Sequence, residues 1–125
     1  MTTLSVLISD DDPMIREALR DVLDAEPDLE VVAVARDADE AITLAERYAP
    51  AVAILDVRMP GGGGSRAATE IRQRSPGTRI LAFSAYDDTP AIAEMRRVGV
   101  MEYVLKGVTN AELVTAIRRV AAAEN

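Results

Sequence analysis

Cysteine, histidine and tryptophan are all absent from the 125 residues. Without cysteine the chain forms no disulfide and offers no thiolate to a metal. Without histidine it has no imidazole base, no His-metal site and no histidine proton shuttle. Aromatic residues make up 3% of the chain, too few for a platform that stacks nucleobases. No apolar run approaches the roughly 18 residues that span a bilayer, and Met1-Thr2-Thr3 is not the basic start of a signal peptide. Positive charge is scarce as well. Lys and Arg number 14 against 21 Asp and Glu, a formal charge of -7, which repels phosphate backbones. These gaps set the expectation of a cytoplasmic protein that neither binds nucleic acid directly nor enters a membrane.

What is present is enough for one core. Apolar residues are 49% of the chain and charged residues 28%, which excludes intrinsic disorder and fits a single domain over residues 1–125. Short runs rich in Val, Ile and Leu fall at residues 4–9, 29–35, 51–55, 79–84 and 103–105. They lack strict alternation, as strands covered on both faces do. Helical spacing fills the gaps. Asp12-Pro13 opens a helix over residues 13–25 with Ile15, Leu19, Val22 and Leu23 on one stripe. The capping box Asp37-Ala38-Asp39-Glu40 opens the second, with Ala41, Ile42, Ala45 and Tyr48 expected inward and Pro50 closing it. A weaker third helix is expected over residues 65–75, ended by Pro76-Gly77. The fourth starts at Thr89-Pro90, uses Ile92, Met95 and Val98, and stops at Gly99. The fifth opens on Thr109-Asn110-Ala111-Glu112 and runs on Leu113, Ile117, Val120 and Ala121.

Five strands alternating with five helices predict an α/β fold: a doubly wound, five-stranded parallel sheet in the order 2-1-3-4-5. Ligands of such sheets bind outside the carboxyl ends of the strands, at the switch point between strands 1 and 3. The sequence is specific there. Strand 1 ends in Asp10-Asp11-Asp12, strand 3 in Asp56-Val57-Arg58-Met59-Pro60 and four glycines, strand 4 in Ser84-Ala85, strand 5 in Lys106-Gly107. Carboxylates brought this close repel one another unless a cation intervenes. A hard oxygen donor set without histidine or sulfur favours Mg²⁺, which readily shares its shell with a phosphate. A carboxylate beside that ion has the makings of a nucleophile toward a phosphoryl donor, with a lysine and a hydroxyl completing the cradle. Taken singly, each residue has a plainer role. Asp12 reads as a helix cap, and Asp10 and Asp11 suit the positive end of the same helix. Asp56 suits a turn, Ser84 a backbone-satisfying hydroxyl and Lys106 a solvated surface. The glycines at 61–64 lack the Gly-Lys-Ser/Thr that ends a phosphate loop. Their meeting at one sheet edge, in the order the fold requires, gives the chemical reading its weight.

The stretches VLISDDDP, AILDVRMPGGGG, ILAFSA and EYVLKG, in this order and spacing, resemble the receiver domain of two-component response regulators, a flavodoxin-like fold. The likeness covers essentially the whole chain. It implies a phosphoacceptor at Asp56 served by a sensor histidine kinase. It further implies Mg²⁺ held by Asp10, Asp11, Asp56 and the Arg58 backbone carbonyl, a phosphate-binding Lys106, and a switch pair of Ser84 and Tyr103. Such a domain assists its own phosphorylation and dephosphorylation and is not classed as an enzyme. Phosphorylation would shift a pre-existing equilibrium and alter the face of the fourth helix, fifth strand and fifth helix. That face, expected to carry Glu94, Arg96, Arg97, Glu112, Arg118 and Arg119, is the family's usual surface for a homodimer. Gly107 stands where many members have proline, and KGVTNAEL is similar to receivers that precede LuxR-type helix-turn-helix output domains. Asp12 stands where those receivers often have histidine. The last residue, Asn125, leaves two alternatives, a stand-alone receiver or part of a longer chain with a C-terminal output domain. Two other functions compete: a non-phosphorylated pseudo-receiver that only binds protein, and a haloacid-dehalogenase-type phosphatase. The second lacks its general acid, since Arg58 occupies the position two residues past Asp56.

Overall fold

Val, Ile and Leu dominate the strands because both faces of the sheet are covered. The computed structural model describes residues 3–123. Its elements are β1 (Leu4–Ser9), α1 (Pro13–Asp24), β2 (Leu29–Ala35), α2 (Ala38–Tyr48), β3 (Val52–Leu55), α3 (Gly63–Arg74), β4 (Arg79–Ser84), α4 (Thr89–Arg97), β5 (Glu102–Leu105) and α5 (Asn110–Ala122). The strands pair in parallel in the order β2-β1-β3-β4-β5, as the alternation predicts.

Successive strand residues feed two separate cores. Leu7, Ala53, Leu55, Ile80 and Ala82 pack toward α2, α3 and α4 with Ala41, Ile42, Ala68, Ile71 and Met95. Val6, Ile8, Val52, Ile54, Leu81 and Phe83 pack toward α1 and α5 with Leu19, Leu23, Leu113, Ile117 and Val120. Each fully buried Leu or Ile contributes roughly 1.5–3 kcal/mol, so the two layers together hold the sheet edge rigid.

The caps follow the sequence closely. Asp12 accepts from the Met14 N–H, Asp37 from Glu40 and Thr109 from Glu112. Half of the capping box of α2 is rerouted: Glu40 accepts from the Arg36 N–H at 2.8 Å and pairs with the Arg36 guanidinium. Three expectations need correction. Tyr48 is 48% exposed, because α2 ends at that residue and its inward stripe is Ala38, Ala41, Ile42 and Ala45. In α4 only Met95 is buried, while Ile92 and Val98 stay partly open. α3 begins at Gly63, two residues earlier than expected, because backbone contacts override the low helix propensity of glycine. Gly63 and Gly64 donate to the Met59 and Val57 carbonyls at 3.0 and 2.8 Å.

Gly64 is where α3 meets the end of β3 most closely. A Cβ there would stand 2.5 Å from the Asp56 carbonyl oxygen and 3.2 Å from the Val57 Cα. Gly77 has nothing within 4 Å of the same position. Gly64→Ala is therefore expected to destabilise the fold by roughly 1–3 kcal/mol through overpacking against backbone. Gly77→Ala should stay within about 1 kcal/mol of the parent. Urea unfolding of both variants checks the contrast, and equal midpoints would refute it.

Candidate functional site

The strand order brings two aspartates together before any side chain is considered. Ser9 of β1 pairs with Leu55 of β3, so the next residues, Asp10 and Asp56, emerge side by side. The Asp56 N–H donates to the Ser9 carbonyl at 3.0 Å, and the Asp10 N–H to the Ala35 carbonyl at 3.1 Å. Asp10 and Asp56 are 1% and 5% exposed, whereas Asp11 faces solvent. Carboxylate oxygens of Asp10, Asp11 and Asp56 lie within 4.8 Å of one another. Lys106, just past β5, reaches in with Nζ 2.7 Å from Asp10 Oδ2 and 3.5 Å from Asp56 Oδ1. It is the sole lysine of the sequence, every other basic residue being arginine. A compact ammonium on a flexible stem fits between two carboxylates where a planar guanidinium would demand more room.

Burial pushes the Asp56 carboxyl up to about 6, and the neighbouring Asp10 charge adds to the rise. The Lys106 ammonium and the Arg58 backbone N–H oppose it without cancelling it. Lys106 moves the other way from what burial dictates. Desolvation pulls its pKa down, yet the contact with Asp10 and the Asp56 charge raise it overall. One ammonium thus serves two buried carboxylates and leaves an excess of negative charge.

The donor set fits a small divalent cation. Asp10 Oδ1 accepts from the Asp12 N–H at 2.9 Å, and buried Oδ2 has the Lys106 ammonium, at 2.7 Å, as its one donor among the described residues. That oxygen has the Lys106 charge as neighbour and a lone pair to spare. Three carboxylates without nitrogen or sulfur ligands match Mg²⁺ or Ca²⁺ rather than Zn²⁺, and the few protein oxygens suit the waters that Mg²⁺ retains.

Ser84 is fully buried, and its Oγ accepts from the Tyr86 N–H at 3.0 Å. This is the backbone-satisfying role, and it leaves the hydroxyl proton unspent. The Tyr103 hydroxyl donates to the Tyr86 carbonyl at 2.5 Å, so both expected switch residues attach to one residue of the β4–α4 loop. The Asp12 side chain caps α1, and its backbone N–H is the donor to Asp10 Oδ1. Four features were not legible in advance. Arg16 Nη1 donates to the Asp10 carbonyl at 2.9 Å. The Arg58 guanidinium lies 3.9 Å from the Tyr86 ring centroid and 3.5 Å from Asp88 Oδ2. Asp88 is the N-cap of α4, accepting from Ala91 at 2.8 Å. The Asp-Thr-Pro order of residues 88–90 was the available signal, since it echoes Asp12-Pro13 at α1.

The raised Asp56 pKa carries a stability consequence for the metal-free protein. Because the folded state binds the Asp56 proton more tightly than the unfolded chain does, the group's contribution is most favourable below pH 3.8 and is lost as pH rises through about 6. Asp56→Asn removes the buried charge. It is expected to stabilise the metal-free fold by roughly 1–3 kcal/mol at pH 7.5 and by much less at pH 4. Urea titrations at the two pH values check this, and an equal or reversed gain would contradict the electrostatic account.

Comparison with known proteins agrees with this geometry. The family model for the response regulator receiver domain matches residues 6–118. The transcriptional regulatory protein DegU of Brevibacillus brevis is 33% identical over 118 residues, covering 94% of this chain and 50% of the relative. The DNA-binding transcriptional activator DevR/DosR of Mycobacterium tuberculosis is 34% identical, covering 95% and 55%. The chain thus spans about half the length of the curated relatives it matches. Among solved structures, the signal receiver domain of the response regulator NarL from Mycobacterium tuberculosis superposes with a TM-score of 0.95 at 31% identity, covering 99% of this chain and 100% of that one. A LuxR-family two-component response regulator from Aurantimonas sp. SI85-9A1 gives 0.91 at 35% identity, covering 97% and 86%. With its five parallel strands, its acidic edge and these relatives, the chain belongs to the response regulator receiver domain family.

Proposed function

We propose that this domain accepts a phosphoryl group on Asp56 from the phosphohistidine of a sensor histidine kinase and switches its α4–β5–α5 face to control an output. The observation that carries the reading is the cluster of Asp10, Asp11 and Asp56 with Lys106 between the two buried carboxylates. Asp10, Asp11, Asp56 and the Arg58 carbonyl would hold Mg²⁺, which when bound supplies positive charge against the phosphoryl oxygens.

The chain's own residues supply the remainder. An ionised Asp56 oxygen attacks phosphorus, and the bond from phosphorus to the donor imidazole nitrogen breaks. The electron pair stays on that nitrogen; with the other ring nitrogen of the donor already protonated, the imidazole leaves neutral and Asp56 becomes an acyl phosphate. Burial and the Asp10 charge disfavour the ionised carboxylate of Asp56, and a bound cation beside it would favour that form. The Lys106 ammonium offsets charge on the incoming phosphoryl group, and the Ser84 hydroxyl, with its proton uncommitted, donates to one of its oxygens. Drawing Ser84 inward moves Tyr86, which holds the Tyr103 hydroxyl, and so disturbs β5.

The face read by partners is that of α4, β5 and α5. A groove of about 560 Å³ between β5 and α5 is lined by Tyr103, Leu105, Val108, Ala111, Thr115 and Arg119. Arg119 pairs with Glu102 there, whereas Arg118 lies on the other side of α5, bound to Glu26 and Asp28. Arg118 therefore drops out of the expected surface, because successive helix residues point about 100° apart. A second copy of the chain or the output domain of a longer chain would use this groove. The half-length match to transcriptional regulators supports the latter.

Incubation with a small acyl-phosphate donor and Mg²⁺, read by intact mass, tests the proposal. The wild type is expected to gain one phosphoryl group only when the metal is present, and Asp56→Asn to gain none. A metal-independent gain, or an unchanged gain in the mutant, would overturn it. In Lys106→Ala the rate of labelling is expected to fall at least tenfold, since two buried carboxylates then lack their counter-charge.

A further inference from the structure

Arg58 stands two residues past Asp56, yet its side chain belongs to a different segment. Its guanidinium covers the Tyr86 ring at 3.9 Å and pairs with Asp88 Oδ2 at 3.5 Å. The other Asp88 oxygen caps α4 through the Ala91 N–H. The Tyr86 main chain is tied in both directions, its N–H to Ser84 Oγ and its carbonyl to the Tyr103 hydroxyl. One cation from the segment that follows β3 therefore clasps the loop residue that anchors the Ser84 and Tyr103 side chains, together with the cap of α4.

We infer that Arg58 is a positioning residue: its clasp on Tyr86 and Asp88 holds the β4–α4 loop in the resting arrangement and opposes occupancy of Asp56 by a phosphoryl group. The inference rests on the function proposed above and extends it. While the Tyr86 N–H stays bonded to Ser84 Oγ, an approach of Ser84 to a phosphoryl group on Asp56 pulls on Tyr86 and draws its ring from under the guanidinium. The stacking and the ion pair are thus contacts of the resting packing, and a ligand that moves the loop gives them up. Both are partly exposed contacts, worth about threefold to tenfold in an equilibrium. A purely solvated Arg58 would leave that equilibrium unchanged.

Beryllofluoride with Mg²⁺, a mimic of the phosphoryl group, tests the clasp without turnover. Binding is measured by titration followed through amide and tyrosine ring resonances, on wild type, Arg58→Ala, Asp88→Ser and the double variant. Serine retains a hydroxyl cap for Ala91 while losing the charge. Arg58→Ala is expected to bind about threefold to tenfold more tightly, and Asp88→Ser to shift in the same direction by less. The double variant should equal Arg58→Ala alone, because the ion pair is already lost. In the free protein, Arg58→Ala should move the Tyr103 ring resonances toward their beryllofluoride-bound positions. Unchanged or weaker binding in Arg58→Ala, or fully additive shifts, would overturn the clasp while leaving the receiver chemistry intact. Failure of the wild type to bind at all would overturn both.

Discussion

Two buried carboxylates at adjacent strand ends, sharing one ammonium, are the constraint on which the rest of this structure hangs. Asp10 and Asp56 are forced together by the β1–β3 pairing, and neither has enough solvent to relieve its charge. Lys106 reaches both, but a single positive charge against two buried negatives, with Asp11 nearby, leaves the edge electrically unfinished. Burial that raises the Asp56 pKa is the same burial that leaves the edge with negative charge for a cation to neutralise. A sheet end built this way trades stability for chemistry, as functional sites commonly do.

The two cores allow that tension to persist. Alternate residues of β1, β3 and β4 are sunk into opposite helical layers, so the strand ends cannot drift apart to dilute the charge. α3 locks the Asp56 segment from behind, where Gly64 lets backbone approach the Asp56 carbonyl more closely than any side chain would permit. The Pro60 carbonyl accepts from the Ala38 N–H, and Arg66 binds both Asp39 and the Gly61 carbonyl. The glycine segment is consequently fastened to α2 and α3.

The opposite side of the site is held by fewer and more exposed contacts. Tyr86 is 43% exposed and makes its links through main-chain groups and one stacked guanidinium. Low-stability loops beside rigid strand ends are where conformational changes are ordinarily drawn from. The arrangement places rigid charge on one side of Asp56 and adaptable hydrogen bonds on the other. Both Ser84 and Tyr103 attach to that adaptable side.

The sequence by itself determined the alternation of elements, the sheet order, the caps at Asp12, Asp37 and Thr109, and the meeting of Asp10, Asp11, Asp56 and Lys106. These are local or topological consequences: caps need only a short polar side chain, and parallel pairing carries the ends of β1 and β3 to one edge wherever the helices pack. Only the tertiary structure decided the rest. Tyr48 turned outward because α2 stops there, a boundary that the period of the helix does not encode. α3 began at Gly63 because the Met59 and Val57 carbonyls of the preceding turn accept from glycines that propensity would leave uncoiled. Arg118 joined Glu26 and Asp28 across 90 or more residues of chain, and Arg58 joined Tyr86 and Asp88 across 30 or fewer. Long flexible side chains choose partners by distance in space, and no spacing in the sequence records that distance.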